Sequence, residues 1–519
     1  MRKDWVAAVG VLILAGFAVG CASVPSRDNP GAVILENVNI VDAEKGIIQE
    51  NQSILIADGV IAEISSSVQS EWPDYARRPV VSGLYVTPAL IDAHVHLFDE
   101  RDLQMYSTFG VMAVRNMDGW DWHLRLRDRT DAINTRADLV TAGAQFQGAS
   151  FKSSDDLREK IQREQTRGYD WVKLYDDVDI SALQVVSDLT LQSGAKVTGH
   201  LPDDIDAAQA ISTGAYGDIA HAEELLGAMR VGSDDWRSGL DQVADAMLHM
   251  DTALTTTLVN NKMIDDQRTD FTANLARAEV HYAPPLLQVF WASEYNPYRS
   301  LDQSSHDGSS RSGGGLTPLL LELVGALDER GVTVLAGTDA PNPTTIPGFA
   351  LHEELDLLAQ AGISSPAILK SATTDASDRI FGGRRHGRIG VGATANVIIT
   401  DKNPLSDITA LARFNALLRK GVYQPRSAIL AEREALASIY AHDRLALAAF
   451  SPASADAVID YIKSNGGADA ISREALTSLI WAYMKFGDMP EARRIAAFQL
   501  RLFPSSQDAK WVAGYLASQ

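Results

Sequence analysis

Cysteine is nearly missing from this 519-residue chain: Cys21 is the only one. A disulfide framework is therefore excluded, and the fold must rest on packing and on any metal it binds. Basic residues are in deficit, 46 Lys and Arg against 67 Asp and Glu, for a formal net charge of −21. No Lys/Arg stripe forms, which speaks against nucleic acid as a partner, because phosphate binding needs a basic footprint. The acidity is read as solubility rather than function. Neither Gly (38) nor Pro (19) is abundant and 46% of residues are hydrophobic, so disordered and collagenous classes are excluded. What is present is length, too much for one ordinary domain and enough to bury a sizeable core.

Arg2 and Lys3 precede an apolar run, "WVAAVGVLILAGFAVG", that ends at Cys21. A charged start and an apolar stretch of this length read as an export signal over residues 1–20, not a spanning helix. "AVGCAS" resembles a bacterial lipobox, which implies that Cys21 is lipidated and begins the mature chain. A plain signal peptide with a chance cysteine is the alternative. The expectation is an exported cell-envelope lipoprotein on the periplasmic side of the outer membrane, touching membrane only through its N-terminal lipid anchor.

Residues 31–87 open with "AVILENVNIVDAEKGIIQENQSILIADGVIAEI", alternating apolar positions around Asn-Gln and Asp-Gly turns, as hairpins of a small sandwich do. "HGRIGVGATANVIITDKNPL" (386–405) has the same character. Residues 31–87 and 386–423 are therefore expected to form one split β-sandwich, with 88–385 inserted as a unit. Eight strand candidates follow within the insertion: "YVTPALIDAHVH", "GVMAVRN", "DLVTAGAQ", "WVKLY", "KVTGH", "GDIAH", "TALTTTLV" and "VTVLAGTDA". Helix-like returns such as "SSDDLREKIQREQTRG" and "ISALQVVSDLTLQSG" end in Gly, as a C-cap would. Eight strands with helical returns is the count of an α/β (β/α)8 TIM barrel. The Ser/Gly-rich stretch 301–315 reads as a loop between strands seven and eight, either a lid or an insertion. Residues 424–519 form a helical C-terminal region in which "SREALTSLIWAYMKFGDMPEARRIAAFQLRLFPSSQDA" resembles a tetratricopeptide (TPR) repeat. One clear repeat is below the usual minimum of about three, so it is expected to pack on the barrel or on a protein partner.

The barrel strands end in residues that can hold a metal. His94-Val95-His96 closes strand one, and alternation puts both imidazoles on one face. Strand four offers Lys173, strand five ends in His200, strand six in His221 and strand eight in Asp339. C-terminal strand ends are where barrel enzymes build their sites, and six candidate ligands suffice for two ions. Singly each has a blander use: a His-x-His pair can be structural, and an Asp after Gly-Thr can cap a helix. Together they recur in order at the ends of five strands. His123, His249, His281, His306, His352, His386 and His442 fall in helices or loops and are read as structural or solvated.

"TPALIDAHVHL", "GVMAVRNMDG", "DWVKLYDD", "GDIAHAEELL", "LAGTDAP", "LHEELDLLAQAGISSPAILKSAT" and "GRIGVGATANVIITDKNPLSDI" resemble the amidohydrolase superfamily, in particular its imidazolonepropionase-like and prolidase-like metal-dependent hydrolases. The resemblance covers about 31–423. It implies one divalent ion on His94, His96 and Asp339, a second on His200 and His221, and a CO2-derived carbamate on Lys173 joining them. His and carboxylate ligands suit Zn, Mn, Co or Fe, with zinc the expected pair. An ammonium about 4 Å from two divalent ions would meet roughly 16 kcal/mol of repulsion at an effective dielectric of 20, and a carbamate reverses the sign. An ammonium paired with Asp176 or Asp177 over an empty or one-metal site is the alternative.

The activity implied is hydrolysis of an amide-type C–N bond in a dipeptide, N-acyl amino acid or cyclic amide by a metal-activated bridging hydroxide. Asp339 resembles the family's proton shuttle to the leaving amine. Arg115 and Tyr175 share the inward face and are candidates to bind a substrate carboxylate or polarise a carbonyl, although Arg115 can equally be a barrel salt-bridge partner. Arg115-Asn116 departs from the family's common Arg-Asp, and "AGAQFQGASFK" lacks the histidine-containing tail of many relatives. Two other readings compete: a mononuclear deaminase or ring-opening hydrolase, against which Lys173 argues, and a lipid-anchored scaffold with an inactive barrel.

Overall fold

The computed structural model describes residues 31–66, 72, 76–129, 136–229, 236–296, 298–299, 315–383 and 385–519. The export-signal and Cys21 readings, His306 and nearly all of the 301–315 loop lie outside the described residues.

The chain begins as antiparallel hairpins of β1 (Val33–Asp42), β2 (Ile47–Ala57) and β3 (Val60–Ser66). The Asp58-Gly59 turn has positive φ at both residues, 52° and 77°, the twist-matched two-residue hairpin turn that its sequence predicts. β4 (Tyr85–Pro88) then runs parallel to β1.

Eight parallel strands follow. They are β5 (Leu90–Val95), β6 (Val111–Asn116), β7 (Asp138–Phe146), β8 (Trp171–Leu174), β9 (Val197–Gly199), β10 (Asp218–Ala220), β11 (Ala253–Thr255) and β12 (Val334–Leu335), hydrogen-bonded in sequence order. The ring closes where Ala93 N–H donates to Ala336 O (3.0 Å) and Val95 bridges Ala340. This is a (β/α)8 TIM barrel, and each of its strands falls on one of the eight segments that the sequence pattern marks, with β7 running one residue past its segment to Phe146. The local chemistry agrees with the returns. Helix Ser154–Arg167 starts on Ser153 and ends on Gly168 at φ 97°, and helix Ile180–Ser193 starts on Asp179 and ends on Gly194 at φ 66°.

After the barrel, β13 (Val397–Thr400), β14 (Ala416–Arg419) and β15 (Val422–Pro425) return to the first sheet. β13 pairs antiparallel with β4, from Val397 opposite Pro88 to Thr400 opposite Tyr85. The split β unit is thus one seven-stranded sheet whose two halves share a core of Val33, Leu35, Ile54, Val397, Ile399 and Leu418. Alternation turns Ile398 and Leu417 the other way, into the barrel core.

The C-terminal region is helical, with Arg426–Leu447, Asp456–Ser464, Arg473–Lys485, Met489–Leu502 and Gln507–Ser518 as its main elements. Its apolar faces pack on the barrel. Trp120 and Trp122, in the loop and helix after β6, share a core with Leu476, Leu479, Ile495 and Val512, and Trp120 stacks on Trp481 at 5.5 Å and 12°. Polar groups seal the seam. Tyr440 Oη donates to Asp102 Oδ1 (2.8 Å), and Arg101 pairs with both Asp99 and Asp443.

Candidate metal centre

The floor of the site is an ion pair. Arg115, at 0% exposure, donates from β6 across the barrel interior to both Asp218 oxygens (2.8 and 2.7 Å), to Ala93 O (2.7 Å) and to Thr255 Oγ1 (3.3 Å). Its guanidinium also lies 4.4 Å from the Trp171 ring. These bonds spend the fork, so the expected substrate contact at Arg115 is replaced by the salt-bridge role. The physical reason is Asp218, a buried carboxylate that burial would push up and that Arg115 holds below its ordinary range.

Above that floor the ligand-type side chains converge. β5 turns His94 and His96 inward, and their Nε2 atoms lie 3.1 and 3.0 Å from Asp339 Oδ1. The ligand atoms of these three residues all fall within 4.8 Å of one another. His221, directly after β10, sets its ring 4.4 Å from that of His94, and His200, directly after β9, lies 4.9 Å from His221. Lys173 projects from β8 and is fully buried. His221 and Asp339 both have positive φ, 74° and 59°, as does Thr257 at 49° beside them. A non-glycine residue, above all a β-branched one, is strained there, and such strain gathers at functional sites.

The donor set fits a cation. Both ring nitrogens of His94, Lys173 Nζ and Asp339 Oδ1 are buried without a hydrogen bond. Each such atom costs about 1–3 kcal/mol when left unsatisfied, a cost that a bound metal removes. Burial holds His94 down at about 3, with Lys173 adding to it, so its imidazole is neutral as a ligand must be. Burial lowers Lys173 as well, to about 8, with Asp339 and Glu224 opposing. Lys173 Nζ makes no hydrogen bond, and Asp177 Oδ1 accepts instead from Gly148 N–H at 2.6 Å.

Several orienting residues do not stand out in the sequence. His221 Nδ1 meets Thr257 Oγ1 at 2.8 Å, and His200 Nδ1 faces Glu224 Oε1 at 3.1 Å, which leaves Nε2 of each ring for the site. Asp339 Oδ2 accepts from the amides of Asn260 (3.0 Å) and Asn342 (2.5 Å). Asp92 accepts from Thr338 N–H and Oγ1 and so ties β5 to the Asp339 loop. Glu224 follows His221 by three residues in "HAEE", a spacing that hints at its inward face. Tyr175 is half-buried and stacks on His200 at 4.3 Å and 24°. His123 is structural as read, its Nε2 bonding Leu97 O at 3.0 Å.

A parallel barrel with this mouth defines a class of barrel proteins whose strand ends gather side chains that could hold a metal. Residues 85–423 match the amidohydrolase family, and the chain belongs to it. Among curated proteins, 67 residues are 39% identical to a dihydroorotase of Citrifermentans bemidjiense and 37% to one of Geobacter sp. (strain M21). Each match covers 13% of this chain and only 15% of the relative's length. Among solved structures, the chain is similar to bottromycin amidohydrolase, with 26% identity, a TM-score of 0.63, and 81% of this chain and 93% of that one covered. It shares the fold of an Xaa-Pro dipeptidase with bound methionine in its active site, at 16% identity, TM-score 0.58, and 76% and 100% coverage.

Proposed function

We propose that this chain is a metal-dependent hydrolase of amide-type C–N bonds, acting on dipeptides, N-acyl amino acids or cyclic amides. His94, His96 and Asp339 would hold one divalent ion, and His200 and His221 a second, with zinc the first candidate and Lys173 joining them as its carbamate. One observation supports the reading: buried atoms of His94 and Lys173 and one Asp339 oxygen, none with a well-formed hydrogen bond, gather at the C-terminal mouth of the barrel, with His94 Nε2 3.1 Å from Asp339 Oδ1. When bound, two such ions lower the pKa of a shared water and polarise the carbonyl it attacks.

The remaining work falls to the chain. Asp339 takes the proton that the attacking water gives up and passes it to the amide nitrogen, whose bond to carbon then breaks. Thr257 and Glu224 fix which nitrogen His221 and His200 present. Tyr175 lines the mouth and is the proposed substrate contact. Arg115 and Asp218 exclude water from below.

Metal analysis and a panel of dipeptides, N-acyl amino acids and cyclic amides test this directly. The expected result is about two ions per chain and chelator-sensitive hydrolysis. Lys173→Ala is expected to retain about one ion and to lose at least roughly 100-fold in kcat/KM. About one ion in the wild type, with activity surviving Lys173→Ala, would favour the mononuclear deaminase reading. No turnover across the panel would favour the scaffold. Lipidation at Cys21 is the proposal for localisation: labelled fatty acid should enter the wild type and not Cys21→Ala.

A further inference from the structure

Strand β11 supplies no ligand to the cluster, yet the helix that follows it, Leu258–Leu275, places Asn260 against the centre of the chemistry. Asn260 is 6% exposed, and its Nδ2 donates to Asp339 Oδ2 at 3.0 Å. An ionised carboxylate can only accept, so the nitrogen end of the amide must face it and the oxygen end is the one left over. That oxygen, Asn260 Oδ1, is buried with no hydrogen-bond donor. A neutral amide oxygen is a poor reason for a divalent ion to bind, and the cluster already has its charged and imidazole donors. A buried acceptor one carboxamide away from the proton shuttle asks for an N–H.

We infer that Asn260 Oδ1 accepts a hydrogen bond from the scissile nitrogen of the substrate, and that the preferred substrates are secondary amides. The inference rests on the hydrolase reading above. In that reaction water adds its oxygen to the carbonyl carbon, one of its protons travels through the Asp339 carboxylate to the amide nitrogen, and the C–N bond breaks to give a carboxylate and an amine. The nitrogen must therefore come within hydrogen-bond reach of Asp339, and so of the carboxamide fastened to it. A secondary amide carries one hydrogen of its own on that nitrogen, and once the substrate covers it that hydrogen needs an acceptor. A tertiary amide, such as one formed by proline, carries none and would leave Oδ1 orphaned. Sites built to bond a substrate N–H reject analogues that lack it for this reason. Asn342 differs: it is a second donor to the same Asp339 oxygen and acts as a positioning residue only.

The test compares the best panel substrate with its N-methyl counterpart, for example Leu-Gly with Leu-sarcosine, on enzyme loaded with metal. The wild type is expected to favour the N–H member by at least about 10-fold in kcat/KM. Asn260→Ala is expected to slow both members through the lost bond to Asp339, as Asn342→Ala does, and to cost the N–H member about a further 10-fold, so that the preference collapses. Asn342→Ala should slow both members alike. Calorimetry gives a readout apart from turnover, with binding of the product glycine weakened in Asn260→Ala and binding of glycine betaine, whose quaternary nitrogen carries no N–H, unchanged. Metal content and melting temperature are read for each variant, and Asn260→Ser replaces the alanine variant if that one misfolds. Equal turnover of both members by the wild type, or an undiminished preference in Asn260→Ala, overturns the inference and leaves the hydrolase reading standing. No turnover of any amide by protein carrying its ions sinks the hydrolase reading, and this inference with it.

Discussion

Arg115 and Asp218 are fully buried and satisfy each other, so neither tolerates loss of its partner. Arg115→Met should cost about 3–5 kcal/mol in urea unfolding, because it strands a buried carboxylate. With the guanidinium committed, substrates with and without a carboxylate should not differ through Arg115. The pairing was hidden in the sequence because the two residues lie 103 positions apart. The cluster itself was legible: His, Lys and Asp at strand ends are uncommon choices for a half-buried strand, and their order matched the strand order. Glu224, Asn260 and Asn342 were not legible. A Glu or Asn in a first helical turn or a loop has many solvated uses, and only the neighbouring His200 or Asp339 gives it another.

Among the elements, two helices carry charges or rings whose roles can be measured. Glu354, on helix Phe349–Gln360, is 0% exposed and caps the helix after β11 by accepting from Leu258 and Val259 N–H. Burial raises its carboxyl from 4.5 to about 7. The folded chain therefore keeps a proton that the unfolded chain loses, so this group stabilises most below about pH 4.5 and less as pH rises through 7. The free-energy gap between wild type and Glu354→Gln should shift by on the order of 1–3 kcal/mol between pH 5 and 7.5, measured by unfolding at each pH. On helix Arg473–Lys485, Trp481→Ala removes the partner stacked on Trp120 and should cost about 3–5 kcal/mol. Strand and helix positions were legible from alternation, capping Ser and Asp, and terminal Gly. β12 was not legible in detail. "VTVLAGTDA" reads as one strand, but only Val334–Leu335 pair with β11, and the following residues meet β5 at the isolated points Ala336 and Ala340 as the chain bends to present Asp339 at positive φ.

For the whole molecule, the proposed ions would be a structural element as well as a chemical one, since they would satisfy buried atoms of His94, Lys173 and Asp339 that make no hydrogen bond. Chelation should lower the melting temperature and readded metal should restore it, with a gain of about 2.7 kcal/mol for each independent ion supplied at 100 times its Kd. Removing residues 426–519 should leave an aggregating barrel, because it uncovers Trp120 and Trp122 together. Whether the helical tail covers the barrel or a partner could not be decided from its periodicity, which marks an apolar face without saying what meets it. The join between β4 and β13 has a temporal meaning too. A ribosome finishes β4 and then makes some 300 residues before Val397 appears to pair with Pro88. At about 5–20 residues per second, the first hairpins wait roughly 15–60 seconds with an open strand edge, the kind of edge that recruits other chains. Nascent chains halted before residue 397 should therefore be the most chaperone-dependent form of this protein, and those halted after residue 425 markedly less so.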